Sequence, residues 1–189
     1  MKTQYYTATS IDGFIADADN SLEWLFHAGE GDSEAAGVQA DYPSFIEQVG
    51  AIAMGSTTYE WVLDHLDLTD DSSAWPYSQP SWVFSSRTLP ATTGADIRFA
   101  SGDVAPVHAE MVEAAGGKNV WVVGGGDLVG QFHDHGLLDE LILGMAPVFL
   151  GSGAPLLPRR ILWPTLKLAE ATPHGRSFVT LRYAITHDR

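Results

Sequence analysis

The sequence predicts an α/β fold with a mixed, mainly parallel sheet, helices on both faces and an antiparallel pair of strands at the end of the chain. Strands and helices alternate through the middle of the sequence, which is typical of parallel sheets, and two consecutive strands close it. With 189 residues, of which 45% are apolar, the chain is long enough for one substantial core. We therefore predict a single domain over residues 1–189.

The first half of the chain contains short strands separated by long polar loops. Phe14–Ala16 returns to extended chain after the turn Ser10–Gly13, and Pro43 starts a short helix. The stretches Gly29–Asp41 and Asp67–Gln79 are predicted as acidic loops, the first with weak helical character. The predicted strands are Lys2–Thr9, Phe14–Ala16 and Ala51–Met54, and the predicted helices are Ser44–Val49 and Thr57–Leu66, the latter capped by Ser56 or Thr57.

The second half alternates more regularly and ends in a hairpin around the turn Thr172–Arg176. The apolar segments Leu138–Leu150 and Phe178–Ile185 are either edge strands that could pair two copies of the chain or part of the core. The predicted strands are Ser81–Ser85, Ala95–Phe99, Asn119–Val123, Leu138–Met145, Leu166–Ala171 and Ser177–Ile185, and the predicted helices are Val104–Ala115 and Asp127–Asp134.

Charge and cysteine content exclude several classes of function. The formal net charge of −14 repels nucleic acid and anionic membranes, and the absence of cysteine removes disulfides, thiol nucleophiles and thiolate metal sites. The histidines have no metal-ligand spacing. No apolar leader begins the sequence, so we predict a cytoplasmic protein with a small-molecule substrate.

The sharpest motif is a buried strand that ends at Val123 and runs into Gly124, Gly125 and Gly126. A helix is predicted to begin at once with Asp127 and Leu128, so that free backbone N–H groups point towards the turn. This pattern predicts a phosphate site, and the alternative is a tight turn without a ligand. The glycine spacing does not match the Rossmann fingerprint, and the missing lysine excludes a P-loop.

Two further strand ends have the same character. Ala51–Met54 is followed by Gly55, Ser56, Thr57 and Thr58 at a helix start, and Trp82–Phe84 is followed by Ser85, Ser86 and Arg87. Taken alone, the first is an ordinary helix cap and the second an ordinary loop. Because ligands of open α/β sheets bind at the carboxyl ends of strands, the three turns together predict one extended anionic ligand.

With these motifs assembled, the chain resembles the dihydrofolate-reductase-like superfamily, and is most similar to the branch of riboflavin-biosynthesis reductases. The resemblance extends over nearly the whole chain and implies a three-layer sandwich. The motifs that carry it are Ser10-Ile11-Asp12-Gly13-Phe14-Ile15-Ala16, Met54-Gly55-Ser56-Thr57-Thr58-Tyr59-Glu60, Val123-Gly124-Gly125-Gly126 and Pro147-Val148-Phe149-Leu150-Gly151-Ser152-Gly153.

The resemblance implies NADPH as hydride donor and assigns roles to the three turns. Ser85, Ser86 and Arg87 would lie beside the adenosine ribose, and Trp24 would lie near the reactive ring. The residues that would face the cofactor phosphates are Gly55, Ser56, Thr57, Thr58 and Gly124–Leu128, and those that would flank the nicotinamide are Ala8, Ile15 and Ala16.

Two departures from the family pattern leave alternatives open. Many relatives have arginine where this chain has Ser56; Arg87 could replace it, but NADH is not excluded. The carboxylate that grips the substrate in dihydrofolate reductases has its nearest match in Asp41, which could equally be a helix cap. Asp12 is interpreted as a turn former rather than an acid.

We therefore expect hydride transfer to a polarised C=N or C=O bond of a small heterocycle, such as a pterin or pyrimidine. Asp41, Asp12 or a bound water would supply the proton. The alternatives are a nucleotide-binding module of the same fold with little turnover, and a structural dimer whose glycines only pack. The resemblance also implies a homodimer.

Overall fold

A computed structural model of the chain describes residues 1–28, 41–65, 75–92 and 94–187. Ten strands and five helices occur in these ranges. The strands are β1 (Thr3–Thr9), β2 (Phe14–Ala16), β3 (Val49–Gly55), β4 (Ser81–Phe84), β5 (Ile97–Ala100), β6 (Asn119–Gly124), β7 (Glu140–Met145), β8 (Ala154–Pro155), β9 (Leu166–His174) and β10 (Phe178–Ile185). The helices are α1 (Glu23–His27), α2 (Tyr42–Ile46), α3 (Ser56–His65), α4 (Val104–Ala114) and α5 (Gly126–Asp134).

Eight of the strands form one sheet in the order β5-β4-β3-β6-β1-β7-β10-β9. The strands from β5 to β7 run parallel, and β10 and β9 join them antiparallel. The short strands β2 and β8 pair separately. The predicted mixed, mainly parallel sheet with an antiparallel C-terminal hairpin is therefore confirmed.

Alternating side chains divide the apolar residues between the two faces of the sheet. On β6, Val120 and Val122 belong to a core cluster that includes Phe132 of α5, whereas Trp121 packs on the other side with Phe45 of α2. Successive strand residues point to opposite faces, so each face of a sheet buried on both sides must be apolar. Helices α4 and α5 cover one face and α2 and α3 the other, as predicted for a three-layer sandwich.

Several boundaries differ from the prediction. Helix α2 begins two residues earlier, because Pro43 sits within its first turn, where a missing N–H costs nothing, and Val49 already pairs with β6. In the C-terminal hairpin the ladder continues through Thr172 to His174, so the predicted turn residues are largely strand. The predicted loop Gly29–Asp41 lies outside the described residues, apart from Asp41 itself. The end of the predicted helix at residue 66 and residues 67–74 of the second predicted loop also lie outside them.

The two apolar segments that could have been edge strands belong to the interior of the sheet. Strand β7 lies between β1 and β10, and β10 lies between β7 and β9. Strand β7 is buried except at Met145, whereas five of the eight residues of β10 are half-buried. At that end of the sheet the edge strand is β9, where Leu168 is 57% exposed. None of the helices in the described ranges has the length and apolar composition needed to cross a bilayer.

Candidate functional site

The glycine turn after β6 lies next to the end of β3. Strand β6 ends at Gly124, a cis peptide bond joins Gly124 to Gly125, and α5 begins at Gly126. A Cβ atom placed on Gly55, the last residue of β3, would lie 3.6 Å from the backbone nitrogen of Gly125. The starts of α3 and α5 therefore meet at the carboxyl edge of the sheet, as the sequence predicted from the order of its motifs.

A cavity of about 300 Å³ opens beside this turn. It draws on β2, α3 and β6, which are far apart in the sequence, and so brings together seven of the predicted cofactor residues. These are Ile15, Ala16, Thr57, Thr58, Val123, Gly124 and Gly125, and the remaining lining residues are Thr7, Asn20, Leu22, Trp61, Val62, Tyr77 and Ala154.

Gly125 and Gly126 differ in the space around them. A Cβ on Gly125 would meet no atom within 4 Å, whereas a Cβ on Gly126 would lie 2.2 Å from the carbonyl oxygen of Pro155. Gly126 is thus required by packing, but the bare backbone at Gly125 faces open space. Free N–H groups at two neighbouring helix starts favour an anion, so the turn fits the phosphates of a dinucleotide.

The two remaining predicted residues of this turn point elsewhere. The Leu128 side chain lies in the hydrophobic core, so only its backbone could face a ligand. The carboxylate of Asp127 accepts a hydrogen bond of 3.0 Å from Arg159, which also contacts Asp134. Arg159 thereby offsets the negative charge that Asp127 places at the start of α5.

The tryptophan that the family resemblance places near the reactive ring is not part of the cavity wall. Trp24 on α1 does not line it, and its buried indole N–H has no hydrogen-bond partner among the described residues. Leu22, which precedes α1, lines the cavity. Trp61 and Tyr77 line the cavity instead. Tyr77 carried no signal in the sequence.

The residue of β1 that lines the cavity is Thr7 rather than the predicted Ala8. Ala8 pairs with Gly144 of β7. By strand alternation its side chain shares a face with Tyr6, which packs in the cluster on the α3 side of the sheet. The position of Ala8 beside a nicotinamide stays a prediction.

The third predicted turn follows β4 and lies beside the start of α3, because Gly55 pairs with Phe84. The Ser85 hydroxyl accepts a hydrogen bond of 2.9 Å from the backbone N–H of Arg87 and shapes the turn around Ser86. The Arg87 guanidinium donates to both carboxylate oxygens of Glu60 on α3, at 3.0 and 2.6 Å. The sequence indicated Arg87 but not its partner Glu60, which lies 27 residues earlier in the chain.

Asp12 has a structural environment that does not suit a proton donor. Its carboxylate accepts hydrogen bonds from the Ser10 hydroxyl at 2.6 Å and from the backbone N–H groups of Leu150 and Gly151 at 3.1 and 2.7 Å. The Ser10 hydroxyl, followed by the backbone donors, holds the pKa of Asp12 below its ordinary value. Asp12 therefore stays ionised and fastens its turn to the loop after β7, and the structure gives no support for Asp12 as an acid.

Asp41 lines a second cavity, of about 440 Å³, on the α2 side of the sheet. It occupies the N-cap position of α2 without a side-chain cap bond. Its carboxylate lies 3.6 Å from Nε2 of His174, which lies 2.8 Å from the Thr180 hydroxyl. Neither the catalytic nor the capping prediction anticipated His174, which is 133 positions away in the sequence.

An aromatic cluster stands between the two cavities. Trp121 packs against Tyr77, which lines the first cavity, and against Tyr6 and Phe45, which line the second. Burial, and then the neighbouring Tyr42, raise the pKa of Tyr77 well above its ordinary value. Its phenol therefore remains protonated at neutral pH and can donate a hydrogen bond to a bound molecule.

The described ranges contain no group of three or more histidine, aspartate or glutamate side chains placed to hold a metal ion. Within those ranges the lining of the first cavity also includes no carboxylate and no histidine. Its polar groups are hydroxyls, an amide side chain and backbone atoms. The site is thus built for binding through neutral donors and shape.

Comparison with known proteins identifies relatives over almost the whole chain. Residues 2–180 match the RibD C-terminal domain family. The chain is 30% identical over 183 residues to the uncharacterized protein YwjB of Bacillus subtilis strain 168, covering 96% of this chain and 97% of that protein. Both lengths are matched almost completely.

Solved structures share the fold. A protein of Shewanella sp. PV-4 named for riboflavin biosynthesis aligns with a TM-score of 0.80 and 25% identity, over 99% of this chain and all of that one. A deaminase and uracil reductase from Thermotoga maritima aligns with a TM-score of 0.64 and 15% identity, over 98% of this chain and 56% of that longer one. Dihydrofolate reductase from Enterococcus faecalis, complexed with NADP(H), aligns with a TM-score of 0.61 and 14% identity, over 98% and 97%.

Proposed function

This chain belongs to the RibD C-terminal domain family, and from that premise we propose that it is a reductase that uses NADPH or NADH to reduce a small heterocyclic substrate resembling a pterin or a pyrimidine. Two proteins of the same fold are named as reductases, one of pterin-type and one of pyrimidine-type substrates. Their names support the substrate class proposed here.

The cavity beside the glycine turn is the observation that carries the proposal. It joins an open backbone at Gly125 and the hydroxyls of Thr57 and Thr58 to the apolar side chains of Ile15 and Ala16. Phosphates and an uncharged ring need these two different surroundings. Both are present within one cavity at the carboxyl edge of a parallel sheet, where such ligands bind.

We propose distinct roles for the lining residues. Backbone N–H groups at Gly125 and the hydroxyls of Thr57 and Thr58 bind the dinucleotide phosphates. Ile15 and Ala16 orient the nicotinamide, and Trp61 and Tyr77 exclude water from the reacting atoms. A bound reduced nicotinamide would supply the hydride, so that the protein contributes alignment and exclusion of solvent.

We propose that water supplies the proton. Among the described lining residues no carboxylate reaches the first cavity, and Asp41 lies in the second, beyond the cluster around Trp121. Asp41 could act on the substrate only if the substrate spans both cavities. The proton would otherwise come from solvent admitted at the open side of the site.

The lack of a carboxylate among the described lining residues of the first cavity favours a second candidate function, namely a nucleotide-binding module that does not catalyse a reaction. A dedicated proton donor is the feature that would separate an enzyme from such a module. The described part of the first cavity offers only the protonated phenol of Tyr77 and hydroxyl groups. Binding and turnover must therefore be measured separately.

The decisive experiment titrates NADPH and NADH against the purified chain with tryptophan excitation and dihydronicotinamide emission. We expect saturable energy transfer, with dissociation constants in the range of about 1–100 μM, because Trp61 lies in the cavity wall. The variant Trp61→Phe should lose part of that signal, because five tryptophans remain, while calorimetry still detects binding. Turnover is then followed as cofactor oxidation across pterins, pyrimidines and flavins.

The two measurements separate the hypotheses. Binding with cofactor oxidation by at least one heterocycle supports the reductase. Saturable binding without oxidation by any of them supports the binding module. Absence of binding by both fluorescence and calorimetry would rule out both candidates.

We further propose a cytoplasmic homodimer. Large apolar side chains are exposed on the segment between β7 and β9, including Phe149 and Trp163, the latter 87% exposed, and a second copy packed there would remove them from water. Light scattering after gel filtration should give twice the mass of 20.4 kDa. A monomeric mass at micromolar concentration would contradict the dimer. The cytoplasmic location rests on the sequence alone.

A further inference from the structure

The ion pair between Arg87 and Glu60 stands where the adenosine end of a dinucleotide would reach. Gly55 and Phe84 end the neighbouring strands β3 and β4 and pair about 4.8 Å apart across the sheet, and Ser56 and Ser85 follow them directly. Glu60 follows Ser56 by four residues and so lies on the same side of α3, one turn on. A dinucleotide whose phosphates lie at Thr57, Thr58 and Gly125 would therefore extend towards Arg87.

The Arg87 guanidinium is held in a two-point ion pair. Both terminal nitrogens donate to Glu60, one to each carboxylate oxygen, at 3.0 and 2.6 Å. Arginine is charged at any working pH, and the Glu60 hydrogen bonds, followed by its charge, raise the pKa of Arg87 further. The two side chains are 57% and 37% exposed, which leaves the pair open to a ligand.

An ion pair of this kind affects the binding of NADPH and of NADH differently. The ribose 2′-phosphate of NADPH is doubly charged and gains strongly from an unpaired arginine. Here it meets a guanidinium whose charge is already balanced, and it comes close to a second negative charge on Glu60. The 2′-hydroxyl of NADH carries no charge and suffers no such repulsion, and a carboxylate can accept a hydrogen bond from it.

We propose that Glu60 sets the cofactor preference of this chain, so that NADH binds at least as tightly as NADPH. The inference rests on the proposed function, because it assumes that a dinucleotide occupies the site. Ser56 adds to the effect, since it supplies a hydroxyl but no positive charge directly after Gly55. Glu60 acts here through Arg87 and is a specificity residue of the binding site.

The experiment measures dissociation constants of both cofactors by calorimetry for the wild type and for Glu60→Gln. In the wild type we expect an NADPH constant equal to or larger than the NADH constant. Glu60→Gln keeps the shape of the side chain and frees the Arg87 charge, so NADPH affinity should rise relative to NADH by about tenfold. Adding Arg87→Gln to this variant should cancel the gain.

Asp96→Asn is the matched control. Asp96 accepts hydrogen bonds from Arg98 at 2.9 and 2.8 Å and forms a comparable exposed ion pair beside β5. The substitution removes the same amount of charge but should leave the NADPH to NADH ratio within about twofold of the wild type. If Asp96→Asn changes the NADPH to NADH ratio as much as Glu60→Gln does, the effect is one of net charge and the inference is overturned.

The remaining outcomes distinguish this inference from the proposed function. A wild type that binds NADPH more tightly than NADH, or an NADPH to NADH ratio that Glu60→Gln does not change, overturns the role of Glu60 while the proposed function stands. Failure of both cofactors to bind the wild type overturns the proposed function and this inference with it.

Discussion

Replacing Gly125 with valine is expected to abolish dinucleotide binding while the fold is retained. Gly125 has φ −76° and ψ 172°, which any residue adopts, and a Cβ there meets no protein atom within 4 Å. The added side chain would fill the space at the start of α5 that the phosphates need. We expect affinity for NADPH and NADH to fall by about 100-fold or more, measured by calorimetry.

The neighbouring glycine provides the control for this experiment. A Cβ on Gly126 would lie 2.2 Å from the Pro155 carbonyl oxygen and 2.6 Å from that of Leu156, both of them backbone atoms. Gly126→Val should therefore lower the thermal midpoint strongly, whereas Gly125→Val should leave it within a few degrees of the wild type. Gly125→Ala provides a milder change at the same place.

The result for Gly125 bears directly on the site. If Gly125→Val binds both cofactors with unchanged affinity and is folded, the phosphates do not lie at this turn. The predicted cofactor site would then be wrong, whichever activity the chain has.

Replacing Glu140 with glutamine is expected to destabilise the protein by about 2 kcal/mol. Glu140 is only 2% exposed, and its carboxylate accepts hydrogen bonds from Lys2 at 2.9 Å, from Gln4 and from Arg182 at 3.2 Å. These contacts join β1, β7 and β10. This loss is smaller than the about 3–5 kcal/mol typical of fully buried ion pairs, because Lys2 and Arg182 remain partly exposed and can turn towards water.

The effect should depend on pH in a defined direction. Burial alone would raise the pKa of Glu140, but Lys2, Gln4 and Arg182 outweigh it and hold the pKa below its ordinary value. A lowered pKa stabilises the folded state above the unfolded value, near pH 4.3, and this stabilisation is lost as the pH falls through the folded value. The difference between wild type and Glu140→Gln should thus be full at pH 7 and shrink below about pH 4.

Glu170→Gln is the matched control for Glu140. Glu170 also contacts Arg182, at 3.6 Å, but its side chain is 60% exposed. Chemical denaturation should show a change of no more than about 0.5 kcal/mol for this variant. Equal stabilities of wild type and Glu140→Gln at pH 7 would mean that the buried cluster contributes no net stability.

The sequence was most informative where a local pattern reports directly on local structure. The strand ending at Val123, its three glycines and the helix that follows occur as predicted, because a buried strand and a backbone turn depend on neighbouring residues. The C-terminal hairpin was also predictable, although its turn was placed too early. Pro43 and Val49 shifted α2 because strand pairing with β6 prevailed over helical periodicity.

The sequence was least informative where contacts join distant residues. Asp41 was a candidate acid on its own, but its neighbour His174 comes from the C-terminal hairpin and the cavity that it lines lies on the α2 side of the sheet. Trp24 was selected by its position in a family pattern, and the fold placed Trp61 and Tyr77 in the cavity wall instead. No spacing in the sequence links these residues.

The sequence by itself determined the fold class, the family resemblance and the three turns that meet at the carboxyl edge of the sheet. Those features follow from hydrophobic periodicity and from glycine and hydroxyl residues at the ends of strands, which are local properties of the chain. Only the tertiary structure decided that Gly125 faces open space while Gly126 is packed, and that Glu60 holds Arg87. Such facts depend on which side chains three-dimensional packing brings within a few ångströms, and chain order does not encode that distance.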